Sequence, residues 1–518
     1  MTLVLFGLAL AWTICLILYR IFSNCSLRNV PGPFLGRLTR LWYLNRVRKG
    51  HWEKENIKLH RKYGSVVRVA PNYYSITGAE AVRVIYGRGG KFPKSAWYEA
   101  WKHPDPSRWT LFQDQNMKRH AETRKRFSSL YSMSSLVHYE EFVDQCAEIF
   151  TQRLLEYSEE QKSLDLGHWF QCYAFDVIGN ITFGERFGFL DSGHDIEGAI
   201  EALQKLMAYS TLIGIYHEWH PRVYHLLSRF SGTGAGGRAY IMRFVEEKIK
   251  LHESQSKDSL ARDGGAMRTQ TFLEKMILAR DKDPEKVTDY HIFMMGLANV
   301  VAGSDTTAIT LSSIMYHLLR HPSILQKLRH EVDTCMQGHL RNAHITFKQS
   351  QEMPYLQAVI KEAMRLHSAT GVPLWREVPE GGAEINGYHF PAGTNVGINT
   401  WVAHYDEYIF PNATEFRPER WIEAETNQEQ LKIMNEMFMP VSSSLTFKIQ
   451  AESKQKDQFG LGSRTCLGKH ISFLEMSKLV PLLIREFTFL LVVSGMETET
   501  HFFVKPTNFK VRVQKRAM

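Results

Sequence analysis

From Asp289 to Arg320 the chain carries 32 residues of helical pattern that stop before Pro322. At 1.5 Å per residue such a helix is about 48 Å long, enough to cross a large domain. Its first half, IFMMGLANVVAG, is apolar on nearly every side, as in a helix that is covered all round. The rest of the chain must therefore wrap it, and 518 residues suffice, because longer chains bury a larger fraction of their surface. In its middle sit Gly303, Ser304, Asp305, Thr306 and Thr307. An acid and hydroxyls are costly to bury unless they are satisfied. The Thr306 hydroxyl can compete for a backbone carbonyl, bend the helix and open room for a small ligand. Asp305 can then relay protons through water. Alone, the cluster also fits an acid reaching a solvent face.

A second feature removes that ambiguity. Residues 459–468 read FGLGSRTCLG, with Phe459, Gly462, Arg464, Cys466 and Gly468 on the pattern FxxGxRxCxG. The six cysteines are scattered without a CxxC pair, which excludes zinc-ribbon and disulfide frameworks and leaves one thiol free for special chemistry. A lone thiolate binds ferric haem iron and pushes electron density into it, favouring O–O cleavage. Glycines let the loop turn tightly and aim backbone N–H groups at the sulfur. Arg464 suits a haem propionate through a charge-assisted hydrogen bond. A lone cysteine is ordinarily a small buried hydrophobe, but five fixed positions in ten residues make that reading untenable. The following stretch, LGKHISFLEMSKLVPLLI, reads as a helix that packs under the macrocycle.

Other residues fit around this pair. Glu362 and Arg365 share one helix face, and Arg420 in FRPERW is a second cation able to bind Glu362 and lock its loop to the helix. Buried, such a triad specifies geometry more than it adds stability. Arg376, after Pro373-Leu374-Trp375, is a further propionate candidate, and His120 and Arg124, one helical turn apart, approach from another side.

Elsewhere the chain is mainly helical, with strand signals at 66–76, at 383–400 around Asn-Gly and Ala-Gly turns, and as a pair in the last 30 residues. Gly232, Gly234 and Gly237 match GxGxxG, but the stretch before them looks helical rather than like a strand, so a connector between helices is expected instead of a dinucleotide site. The formal charge of +9 comes from Lys and Arg spread along the chain, which argues against nucleic acid and for a basic face toward a membrane or an acidic partner. Leu3 to Leu18 is apolar except for Thr13, and its basic residues follow rather than precede it. Residues 1–22 therefore read as a retained membrane anchor with the body in the cytosol. Residues 23–40 form a Pro/Gly hinge and basic linker, and 41–518 a single catalytic domain.

Taken together, AGSDTT (302–307), the Glu362/Arg365 pair, PERW (418–421) and the cysteine loop, in this order and spacing, resemble the cytochrome P-450 family from Pro31 onward. His120/Arg124 in place of the usual WxxxR, and FPKSAWY (92–98), resemble fungal microsomal enzymes related to pisatin demethylase, often found in secondary metabolism. The resemblance implies a mainly α fold with small β-sheets (α+β), a helical prism with haem b (iron protoporphyrin IX) between helices and an N-terminal transmembrane helix in the endoplasmic reticulum. It implies Cys466 as axial iron ligand and Asp305 and Thr306 as catalytic residues. Phe459, Gly462, Arg464, Gly468, His120, Arg124 and Arg376 bind the cofactor, and Glu362, Arg365 and Arg420 form a structural network. NADPH would act through NADPH–cytochrome P-450 reductase, with cytochrome b5 as a second donor, to insert one atom of O2 into a small apolar substrate. Five aromatic and aliphatic stretches are candidates for its pocket: 97–112, 207–215, 297–302, 370–375 and 500–503. The rival readings are a haem-thiolate isomerase or dehydratase that needs no O2, against which the intact acid–hydroxyl pair argues, and a catalytically impaired haem protein.

That last reading arises from residues 441–458, VSSSLTFKIQAESKQKDQ. Without them the sequence reads MFMPFGLGSRTCLG, a seamless join of the loop before the cysteine motif to the motif itself. The segment is polar, begins with Val and ends with Gln, as a translated in-frame intron would. The mature transcript is expected to lack it. Sequencing that transcript checks this, and finding the segment would make it a surface insertion on the side where redox partners dock.

Overall fold

The computed structural model describes residues 5, 7–8, 11–13, 15, 27–87, 89–230, 232–259, 269–338, 344–439, 464–492 and 495–516. Phe459, Gly462 and the segment 441–458 lie outside the described residues. So does most of the expected anchor, of which Leu5, Gly7, Leu8, Ala11–Thr13 and Cys15 are described as helical and exposed.

The helix Asp289–Arg320 forms as its pattern predicts. Among the described residues it alone is long and apolar enough to cross a membrane, but most of its side chains are buried inside the protein. One neighbour is the helix Leu166–Phe183, whose side chains are buried almost without break from Trp169 to Phe183. Two apolar helices packed on each other are the helix-on-helix solution to covering apolar faces. Several polar groups on the central helix are satisfied by its own backbone or by neighbouring side chains, although the buried Ser304 hydroxyl has no hydrogen-bond partner among the described residues. Asn299 donates to Thr182 (2.9 Å) and accepts from Tyr131. Thr306, Thr310 and Ser312 return their hydroxyls to the carbonyls of Ala302, Thr306 and Ala308 (2.9, 2.9 and 2.7 Å).

The helix Lys469–Glu486, which follows the cysteine, is fixed to the central helix by the Thr307–Ser472 hydroxyl contact (2.9 Å). The helix Pro354–Leu366 buries Glu362 and Arg365 completely and accepts a hydrogen bond from Ser313 of the central helix at the Ala363 carbonyl (3.0 Å).

A four-stranded sheet stands beside the helices. Val66–Ala70 pairs antiparallel with Tyr73–Ile76, which pairs parallel with Asn395–Gly397, which in turn carries Arg376–Glu377. The expected Asn-Gly turn is present: Asn386 and Gly387 both have positive φ (48° and 77°) and close the hairpin Ala383–Ile385/Tyr388–Phe390. The C-terminal expectation needs correction. Three strands lie wholly within the last 30 residues rather than two. Glu497–Thr500 pairs with Val504–Thr507, while Lys510–Lys515 joins Phe487–Leu491 and the distant Ser163–Asp165. Short strands of this kind are defined by partners remote in sequence.

The glycines of the GxGxxG match are also more than a connector. Thr233 caps the helix Gly234–Ser259 by accepting from the Gly236 amide (3.1 Å). A Cβ at Gly234 would collide with the Lys205 carbonyl and Tyr209, and one at Gly237 would sit 2.7 Å from the Ala202 carbonyl. These glycines let this helix pack directly on Ala199–Gly214.

On the helix Trp52–Tyr63, beside the sheet, buried His60 bridges the Gly64 carbonyl (2.9 Å) and the Ser75 hydroxyl (2.8 Å). Burial lowers its pKa from 6.5 to about 4. Below the unfolded value the unfolded chain takes up a proton that the folded chain refuses, so stability falls as pH drops from 6.5 toward 4. Relative to His60→Gln, the protein is expected to lose up to about 3 kcal/mol across that window. Urea denaturation of both proteins at pH 7.5 and pH 4.5 checks this.

Candidate active site

Cys466 lies three residues before the first residue of the helix Lys469–Glu486 and accepts from the backbone N–H groups of Gly468 and Lys469. Burial pushes its thiol up, while those N–H groups and the charges of Arg124 and Lys469 act in the opposite sense. A helix N-terminus favours negative charge, so the fold offers a thiolate both donors and a dipole.

The sulfur lines an internal cavity enclosing about 1700 Å³ of empty space, its mouth included. Thr306, Gly303 and Ala302 of the central helix line the same cavity. Asp305 does not. Its buried carboxylate turns toward the helix Leu166–Phe183, where Gln171 donates to it (2.5 Å) and the Lys505 ammonium lies 3.5 Å away. Successive helix positions point about 100° apart, and this step takes Asp305 from the chamber wall to the neighbouring helix. The hydroxyl and the acid are thus on different sides of the helix.

Basic side chains gather on one part of the cavity wall: Arg376, Arg464, Arg124, His120 and Lys94. The first four carry through from the sequence. Lys94 was quoted only within a motif, and a backbone bridge to Arg376 places it here. Arg376 is positioned by the sheet, pairing with Val396. Arg464 donates to the Asp114 carbonyl (2.6 Å) and Arg124 to the Thr465 carbonyl. These groups oppose one another. Burial and then Arg376 lower Arg464 to about 10, and burial followed by Arg464, Lys94 and Arg124 lowers His120 to about 3. Asp114, which acts on both, is itself held by Arg119 through two bonds (2.9 and 2.6 Å). A mostly apolar chamber with a thiol at its floor and clustered cations in its wall suits a large apolar ring system that carries acidic groups.

Behind the cavity, Glu362 is a hub. It accepts from Arg365 (3.0 and 2.8 Å), Arg420 (2.9 Å), the Trp421 indole (2.9 Å) and the Arg417 amide (3.1 Å). Arg365 spends its remaining donors on the carbonyls of His404, Ala413 and Glu415. His404 then accepts the Met439 amide (2.9 Å), the last described residue before the cysteine loop. Trp421 and His404 gave no separate sequence signal, although Trp421 stood inside the PERW motif.

With this geometry in place, comparison with known proteins is decisive. The family profile for cytochrome P450 matches residues 31–513. The chain is a cytochrome P450. It is 37% identical over 514 residues to a pisatin demethylase of Fusarium vanettenii, covering 98% of this chain and 94% of that protein. A cytochrome P450 monooxygenase of Aspergillus terreus is 35% identical over 90% of this chain and 91% of its own length. The cytochrome P450 monooxygenase gsfF of Penicillium aethiopicum is 32% identical over 99% and 97%. Membership makes this P450 a monooxygenase-family protein and implies haem, and the thiol, chamber and cation wall fit that group.

All five pocket stretches of this P450 contribute to the chamber or to a second cavity of about 900 Å³ that shares Phe112, Ala298, Ala302, Phe502 and Phe503 with it. Arg238, Tyr290 and Phe293 also line the second cavity and were not anticipated.

Replacing Glu362 by Gln leaves two buried arginines short of a counter-charge and is expected to cost about 3–5 kcal/mol. Trp421→Phe, which removes one donor to a charged acceptor, is expected to cost roughly 1.5–3 kcal/mol. Urea midpoints of the purified variants provide the comparison.

Proposed function

We propose that this P450 inserts one atom of O2 into a small apolar substrate, by hydroxylation, epoxidation or O-demethylation, in fungal secondary metabolism. The observation that carries the reading is the shared wall of Cys466 and Thr306 around one apolar chamber. Bound haem would supply the redox chemistry that activates O2.

The chain's own residues would then act as follows. Cys466 would bind the haem iron, with its charge supported by the Gly468 and Lys469 amides. Arg464, Arg376, Arg124 and His120 orient the acidic edge of the porphyrin. Gly468 would keep the turn after the cysteine tight. Thr306, bonded to the Ala302 carbonyl, holds a hydroxyl at the chamber wall. Asp305 passes protons to that hydroxyl when its carboxylate leaves Gln171 and Lys505. Glu362, Arg365 and Arg420 would lock the turn at 417–421 to the helix Pro354–Leu366.

Electrons would come from NADPH through NADPH–cytochrome P-450 reductase, with cytochrome b5 as a second donor. The net charge of +9 supports an acidic docking partner. The apolar N-terminal stretch supports anchorage of a single cytosolic catalytic domain, 41–518, to the endoplasmic reticulum membrane, with 1–22 as the anchor and 23–40 as the linker.

Cys466→Ser is expected to abolish the thiolate-type Soret band of the reduced carbon monoxide complex, together with NADPH- and O2-dependent product formation. Undiminished turnover by the serine protein would sink the proposal.

A further inference from the structure

The second cavity carries information about the substrate that the reaction chamber does not. Its walls are aromatic and aliphatic, but its polar lining is one-sided. Arg238, Arg108 and His103 line it, and no Asp or Glu does so among the described residues.

Arg238 is the informative member. It is 7% exposed, and the tight glycine packing of its helix brings it under the segment Ala96–Trp101. It donates to the carbonyls of Trp101 (2.7 Å) and Ala100 (2.8 Å) and to the Ser210 hydroxyl (3.1 Å), all neutral acceptors. Its Nε is buried without a hydrogen-bond partner. The acidic groups that act on it are the phenols of Tyr224 and Tyr209, and burial lowers its pKa to about 10.

A buried guanidinium is ordinarily retained with an anionic partner, since an uncompensated buried charge is expensive. The neighbouring basic side chains supply no anion. Arg108 is half-exposed and lies 3.9 Å from Asp105. His103 accepts the Asp105 amide at Nδ1 (3.1 Å), which turns Nε2 into a second donor. Along the central helix this cavity runs from Tyr290 to Ala302, whereas the reaction chamber runs from Met294 to Thr310. The two overlap at the small residues Ala298 and Ala302, where a flat ring system can pass.

We infer that the substrate is an aromatic carboxylate, held by its acid group at Arg238 while its rings extend past Ala298 and Ala302 toward Thr306. This rests on the monooxygenase reading above and names the substrate class for it. Arg238 is a specificity residue at the far end of the molecule from the bond that reacts.

The haem-loaded, full-length protein is titrated with biphenyl-4-carboxylate and with its neutral isostere biphenyl-4-carboxamide, by calorimetry and by the spin-state shift of the Soret band. The carboxylate is expected to bind at least about tenfold more tightly, as a hydrogen bond to a charged group requires. Arg238→Gln should bring the ratio to about one while changing carboxamide affinity little, and Arg238→Lys should keep a preference for the acid. Equal affinities in the unaltered protein, or a preference that survives Arg238→Gln, overturn the inference. The first of these outcomes needs no variant to fold. A protein without the thiolate-type Soret band would instead point to failure of the monooxygenase reading.

Discussion

The Glu362 carboxylate accepts from two guanidiniums, an indole and a backbone amide in the dry interior. Its four donor groups come from its own helix and from the turn at 417–421, so two segments distant in sequence meet at one anion. From Arg365 the chain of contacts continues through His404 to Met439, at the threshold of the cysteine loop. A hydrogen-bond network rooted in the helix Pro354–Leu366 therefore fixes the turn at 417–421 and the chain as far as Met439. Buried charge is a poor source of net stability, but it penalises every arrangement that leaves a partner unmatched.

The chamber follows from a second constraint. Buried polar groups on a covered helix need partners, and the central helix supplies most of them by back-bonding hydroxyls and by a cross-helix amide. Where its side chains shrink, at Ala298, Ala302 and Gly303, space opens beside the sulfur. The acid next to Thr306 is held away from that space by Gln171 and Lys505. A resting carboxylate turned from the chamber and a hydroxyl facing it are compatible with a relay that operates only on rearrangement.

Much of this was legible in residues alone, for identifiable reasons. The central helix declared itself by period and by length. The cysteine loop and the Glu362/Arg365 pair were readable because their chemistry is local, set by spacing within ten residues or one helical turn. The C-terminal strands were misjudged because Lys510–Lys515 takes its partners from Phe487–Leu491 and from Ser163–Asp165, more than 300 residues earlier. Lys94 and Arg238 stayed hidden for the same reason. Each is an ordinary basic residue until a sheet bridge or a close helix contact brings it to a cavity wall. The side on which Asp305 stands also required the neighbouring helix, since the sequence supplies the acid but not the Gln171 that holds it.

The small sheet has a role beyond covering one flank. Arg376 enters the chamber because it pairs with Val396, and Val396 is in turn set by Tyr74 on the next strand. Side chains alternate along a strand, so a slip of one position anywhere in this ladder would turn the guanidinium outward. The sheet thus acts as a ruler laid against the helices: the seat of a prosthetic group among helices is graduated by the pairing of strands that never touch the reacting atoms.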